Sequence, residues 1–219
     1  WVYFFAFLAL FVAQGRLRMP EEVQEVRISL QGPPSSSLIS SFGGVMLLAV
    51  LFILGVYLGR FYAGEVYFRQ GLRAAARQDM EQAAIALSRA ATINNEQVRY
   101  LLALTQVQFQ QAVKESQKSE PDISRAGGFI SSAVSASRRA TERAPHSAAA
   151  WEQLGGLYGQ VVALAPEARG WAIAAYERAI ELEPTNPLLL VLRGQQFLAD
   201  KKLEEATRDF EMAIELKRD

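Results

Sequence analysis

Residues 151–186 read WEQLGGLYGQVVALAPEARGWAIAAYERAIELEPTN, and this stretch decides the fold. Trp151, Leu154, Gly155 and Tyr158 fall at three- and four-residue steps, the spacing of one helix face. A turn-rich segment, VALAPEARG (162–170), separates them from a second helical pattern built on Ala172, Tyr176 and Ala179, which Pro184 ends. Both patterns return downstream. LVLRGQQF (190–197) supplies Leu190, Gly194 and Phe197, and TRDFEMAIELK (207–217), preceded by Ala206, supplies Phe210 and Ala213. A glycine and alanines at the contact of two paired helices let the backbones approach closely, while aromatics fill the gaps between successive pairs. Such a pair cannot bury its apolar face alone and needs neighbours stacked on it.

Two weaker copies lie upstream. Tyr67 and Gly71 match the first helix of one, and Ala83, Leu87, Ala90 and Asn95 its second. Ala133, Ser137, Ala140 and Pro145 match the second helix of another, whose first helix covers Val98 to about Ala112. The anchor alanines at 83, 133, 172 and 206 are 50, 39 and 34 residues apart. The excess over a repeat of about 34 has two sources. KESQKSEPDISRAGG (114–128) reads as an inserted loop, and 162–170 lengthens one turn.

The order W-x2-L-G-x2-Y, A-x3-F-x2-A, P resembles the tetratricopeptide repeat. The resemblance is specific in the third copy and good in the fourth, which carries Arg193 where Leu is usual. The resemblance implies an all-α fold, a helix-turn-helix solenoid of about four repeats over 64–219 (about 64–97, 98–147, 148–186 and 187–219). It gives packing roles to Gly71, Ala83 and Ala133 in the first two repeats. In the third these fall to Trp151, Gly155, Tyr158, Ala172 and Tyr176, and in the fourth to Gly194, Phe197, Ala206 and Phe210.

In that family the first helices line an inner groove where partner peptides or helices lie. Carried over by position, the groove takes Phe68 and Leu72 from the first repeat and Arg99, Leu102, Gln106 and Phe109 from the second. The third supplies Glu152, with Gly156 and Gln160 on the same face, and the fourth Gln195 and Leu198. The expected surface is apolar with a few amides. It lacks the Lys/Asn/Arg cluster with which some members clamp a C-terminal carboxylate, so an amphipathic helix or extended segment is the implied partner. The last repeat has no separate capping helix, which leaves room for an oligomer contact.

The start of the chain differs in kind. Residues 1–13, WVYFFAFLALFVA, read as a truncated transmembrane helix, short of the about 17–25 residues of a full span. No charged residue occurs from Ile28 to Gly59. Within that stretch, LISSFGGVMLLAVLFILGVYL (38–58) is long enough to cross a hydrocarbon core of about 30 Å. Its exit carries Tyr57, Arg60, Phe61 and Tyr62, suited to a membrane interface, so 38–62 is the expected span. Residues 14–37 form a linker in which Pro33 and Pro34 break any preceding helix. The chain opens on Trp1 rather than Met, so a piece of a longer chain is expected, and its alanine-rich helices suggest a bacterial one.

Composition narrows the function. With 23 Lys and Arg against 23 Asp and Glu, the chain has no net charge with which to attract nucleic acid. It has no cysteine and one histidine, His146, which sits at a turn. Thiolate zinc sites and paired imidazoles are therefore excluded. GGLYG (155–159) lacks the Lys-Ser/Thr of a phosphate loop. Glu204, Glu205 and Asp209, beside Lys201, Lys202 and Arg208, read as one solvated charged face. No catalytic, cofactor or metal residue is expected. The reading is an integral-membrane, non-enzymatic scaffold that binds a protein partner near the bilayer. The arrangement also resembles the C-terminal part of O-antigen ligase and polysaccharide polymerase-like membrane proteins. That alternative would make the chain the repeat region of a larger enzyme and place the repeats outside the cytoplasm; charge alone leaves the side open.

Overall fold

The computed structural model describes residues 34–218, with side chains from 42 to 217. The expected truncated span at 1–13 and all but the end of the 14–37 linker lie outside the described residues. Among these the chain is all-α, with eight helices. They are α1 Pro34–Ala76, α2 Met80–Ile93, α3 Val98–Ser116, α4 Ile123–Arg143, α5 Ala148–Val161, α6 Ala168–Leu182, α7 Pro187–Ala199 and α8 Leu203–Arg218. The chain divides into two units, and the second begins at Gly55.

The described part of the first unit is the N-terminal portion of α1. This helix starts at Pro34, inside the expected linker, because a proline in the first turn loses no helical hydrogen bond. The most apolar 18 residues between Phe42 and Ala76 have a mean hydropathy of 2.4, and α1 is the one described helix long and apolar enough to cross a membrane. Its large apolar side chains, Phe42, Phe52 and Ile53 among them, are exposed.

In the second unit the helix starts are written in side chains. Asp79 and Asp122 accept from the backbone N–H three residues on, at 3.1 and 2.9 Å. Ser147 does the same for Ala150, and Asn186 accepts from Leu188 N–H ahead of the α7 proline. Helices pair as α3 with α4, α5 with α6, and α7 with α8, and each hairpin packs on the next. The first helices α3, α5 and α7 also touch in sequence, forming an inner layer. The core is shared between repeats. Ala90, Tyr100, Ala140 and Ala150, from four successive helices, belong to one buried cluster.

The helix contacts show why glycine recurs. A methyl group on Gly155 would lie 2.9 Å from the Tyr176 ring, one on Gly194 2.8 Å from the Phe210 ring, and one on Gly71 2.6 Å from Leu87 Cγ. The second repeat inverts this pattern. Thr105 stands where the others have glycine, and Ser137 where they have Leu87, Tyr176 or Phe210. Both are buried, and Thr105 Oγ1 donates to Leu101 O at 2.9 Å. A larger residue on one helix is thus matched by a smaller one on its partner.

Two expectations are corrected. The inserted loop at 114–128 is mostly helix, since α3 runs to Ser116 and α4 starts at Ile123. The insertion lengthens both helices, and Gly127 and Gly128 sit inside α4 with open space around them. Asp209 is not on a solvated face but 2% exposed, paired with Arg193. Arg60 donates from Nε and Nη2 to Ile93 O at 3.2 and 3.0 Å, satisfying a carbonyl at the end of α2.

Candidate functional site

The inner faces of α3, α5 and α7 enclose a concave cavity of about 630 Å³. From α3 come Leu102, Thr105, Gln106 and Phe109, and from α5 Glu152, Gln153, Gly156 and Gln160. Helix α7 adds Leu192, Gln195 and Gln196, and Tyr176 of α6 reaches in from below. The helical period explains the set, because residues three and four apart share a face. Gln153 Nε2 donates to Leu102 O at 2.7 Å and ties α5 to α3.

Tyr176 is 2% exposed, and its hydroxyl sits beside Gly156: a methyl group there would lie 3.5 Å from that oxygen. Burial, and next the charge of Glu152, push the Tyr176 phenol up to about 12. Glu152 is the one charged residue among the cavity's described lining. The chemistry offered is therefore hydrogen bonding from several amides beside a single carboxylate and a phenol oxygen. No group of three or more His, Cys, Asp or Glu able to hold a metal ion occurs among the described residues.

Of the residues expected in the groove, Leu102, Gln106, Phe109, Glu152 and Gln195 meet in this cavity. Phe68, Leu72, Arg99 and Leu198 do not. Phe68 packs on Tyr100, with ring centroids 4.8 Å apart, and lies partly buried against the core. Arg99 is held by Glu65 at 2.6 Å and lies over the Phe68 ring, so the junction of the first two repeats is closed by an ion pair. Glu65 also accepts from the Tyr100 hydroxyl at 3.3 Å. Burial, then the Glu65 charge, raise the Tyr100 pKa. Leu72 and Leu198 are exposed away from the cavity.

The cavity is also more amide-rich than expected. Gln153 and Gln196 were missed because each lies one residue past the face carried over from the family pattern. Those positions point at the neighbouring first helix, which a single-repeat register does not show.

A second cavity, also about 630 Å³, lies among α4, α5 and α6 and is largely apolar. Trp151, Leu154 and Tyr158 of α5, Val134 of α4 and Trp171 of α6 line it. Tyr158 tilts against Trp171 at 5.4 Å between centroids, and Trp151 Nε1 donates to Pro145 O at 3.0 Å. Tyr158 thus contacts α6 of its own hairpin, while Trp151 reaches back to Pro145 of the second repeat.

These hairpins, stacked with glycine-to-aromatic contacts and an inner layer of first helices, define a tetratricopeptide-type solenoid. Comparison with known proteins agrees on the fold. A crystal structure of MamA matches with a TM-score of 0.57 at 18% identity, covering 71% of this chain and 78% of that one. A MamA RS-1 double mutant matches at 0.55 and 17% identity, covering 71% and 75%. Among curated proteins, Hsc70-interacting proteins 1 and 2 of Drosophila melanogaster are each 50% identical over 48 residues, or 22% of this chain. The chain spans 13% of the length of those relatives. No family model matches the chain.

Proposed function

We propose that the chain is a membrane-anchored interaction scaffold. A partner segment lies in the concave cavity of α3, α5 and α7, and residues 38–62 hold the repeats of 64–219 at a bilayer. The observation that carries this reading is the cavity itself, floored by uncommitted amides from three successive first helices. Amides spaced along a concave face suit the backbone of an extended segment, which presents alternating donors and acceptors. The protein-binding side of the fly relatives' names supports the same reading. A chaperone's C-terminal carboxylate is a poor fit, because the cavity's described lining offers a carboxylate and no cation. The exposed apolar side chains of α1 support the anchor.

The test is co-purification of the full chain from native membranes in mild detergent. Gln106, Gln160 and Gln195 are exposed, so replacing all three with Ala removes floor amides and leaves packing intact. The reading requires an unchanged melting temperature and loss of the co-purified protein. Retention of that protein by the triple variant contradicts it.

A further inference from the structure

We propose that the concave cavity selects a segment carrying a lysine or arginine side chain, which Glu152 receives; this rests on the groove reading above. The geometry supplies three observations. First, Glu152 is the one charge among the cavity's described lining residues, and no ion pair or hydrogen bond from a described residue occupies its carboxylate. The other carboxylates near the inner layer are committed: Glu65 to Arg69 and Arg99, and Asp209 to Arg193. Second, Glu152 is half-buried, so its charge is less screened than that of a rim residue. Third, the cavity gives a cation a second acceptor. Tyr176 lines the cavity from below with its oxygen beside Gly156, close enough to Glu152 for that charge to raise its pKa.

A primary ammonium has three donors and no acceptor, and a guanidinium five. A carboxylate beside a phenol oxygen satisfies two of them. An acidic side chain meets repulsion from Glu152 at the same place, so the site discriminates by charge as well as by fit. The flanking amides of Gln106, Gln160 and Gln195 read only the backbone, so the sequence preference concentrates at one residue.

The experiment uses the full chain in detergent and an mRNA-displayed library of random dodecapeptides. The expected result is enrichment of peptides with Lys or Arg at one aligned position. A synthetic copy should bind about tenfold more tightly than its norleucine analogue, and raised salt should narrow that ratio. Glu152→Gln should reduce the ratio to near one while still binding the norleucine peptide, with melting unchanged because no described residue depends on this carboxylate. Enrichment without a basic position, or a preference that survives Glu152→Gln, overturns the inference and leaves the groove standing. If no peptide binds wild type better than the Gln106, Gln160, Gln195 triple alanine variant, the inference and the groove reading both fall.

Discussion

The Arg193 guanidinium closes a two-pronged ion pair on Asp209, Nε to Oδ2 at 2.9 Å and Nη2 to Oδ1 at 2.7 Å. The pair replaces the leucine that the repeat pattern places there and joins α7 to α8. Hydrogen bonding to Asp209 is the main reason the Arg193 pKa rises. Breaking one side strands a desolvated charge, and replacing both sides does not. Asp209→Ala should therefore cost about 2–4 kcal/mol. The double variant Arg193→Leu, Asp209→Ala reproduces the Leu154 and Ala175 arrangement of the third repeat. It should melt within a few degrees of wild type. Thermal melts of the single and double variants decide this, and a double variant as weak as the single contradicts it.

Size complementarity between paired helices gives a second test. Gly155→Ala sets a methyl group against a buried ring and should cost about 1–3 kcal/mol by overpacking. The inverted second repeat tests the same idea in reverse. Ser137→Phe alone should destabilise, and adding Thr105→Gly should recover part of the loss. A denaturant-melt cycle that shows simple additivity would mean the two sites are uncoupled.

Gly127 and Gly128 lie inside α4 with open space where a side chain would stand. Glycine in a helix interior carries an entropic penalty relative to alanine. Gly127→Ala and Gly128→Ala should each stabilise by about 0.5–1 kcal/mol. A lower melting temperature in either variant would place a neighbour against α4 there.

Alkaline pH should weaken the third repeat. The Tyr176 phenol ionises near 12 in the fold and near 10 when unfolded. The stability it contributes is present below the unfolded value and is lost as pH rises through the folded value. Stability should thus fall between about pH 10 and 12. Tyr176→Phe should flatten that part of the profile. An unchanged slope in the variant assigns the loss elsewhere.

How far the sequence could be read depended on the kind of signal. Gly155 and Tyr176, like Gly194 and Phe210, are legible because a small and a large residue recur in a fixed order, so the repeats and their pairing follow. The 114–128 insertion misled because Pro121, Gly127 and Gly128 have loop composition, while packing of α4 on α3 overrides local propensity. Asp209 misled for a different reason. A carboxylate on a charged helix looks solvated until its partner across the hairpin is known, although Arg193 at a leucine position was the available clue. The amide floor was half legible, since Gln106 and Gln195 lie on the face of a single repeat and Gln153 and Gln196 face the next helix.

The central claim is that the inner layer of first helices receives the partner. A photo-crosslinking residue placed singly at Gln106, Gln160 or Gln195 of the full chain in native membranes tests it most directly. Arg139, exposed on α4 and outside both cavities, serves as the control position. The account predicts one common protein adduct from all three groove positions and none from Arg139. Adducts from Arg139 with none from the groove would contradict it.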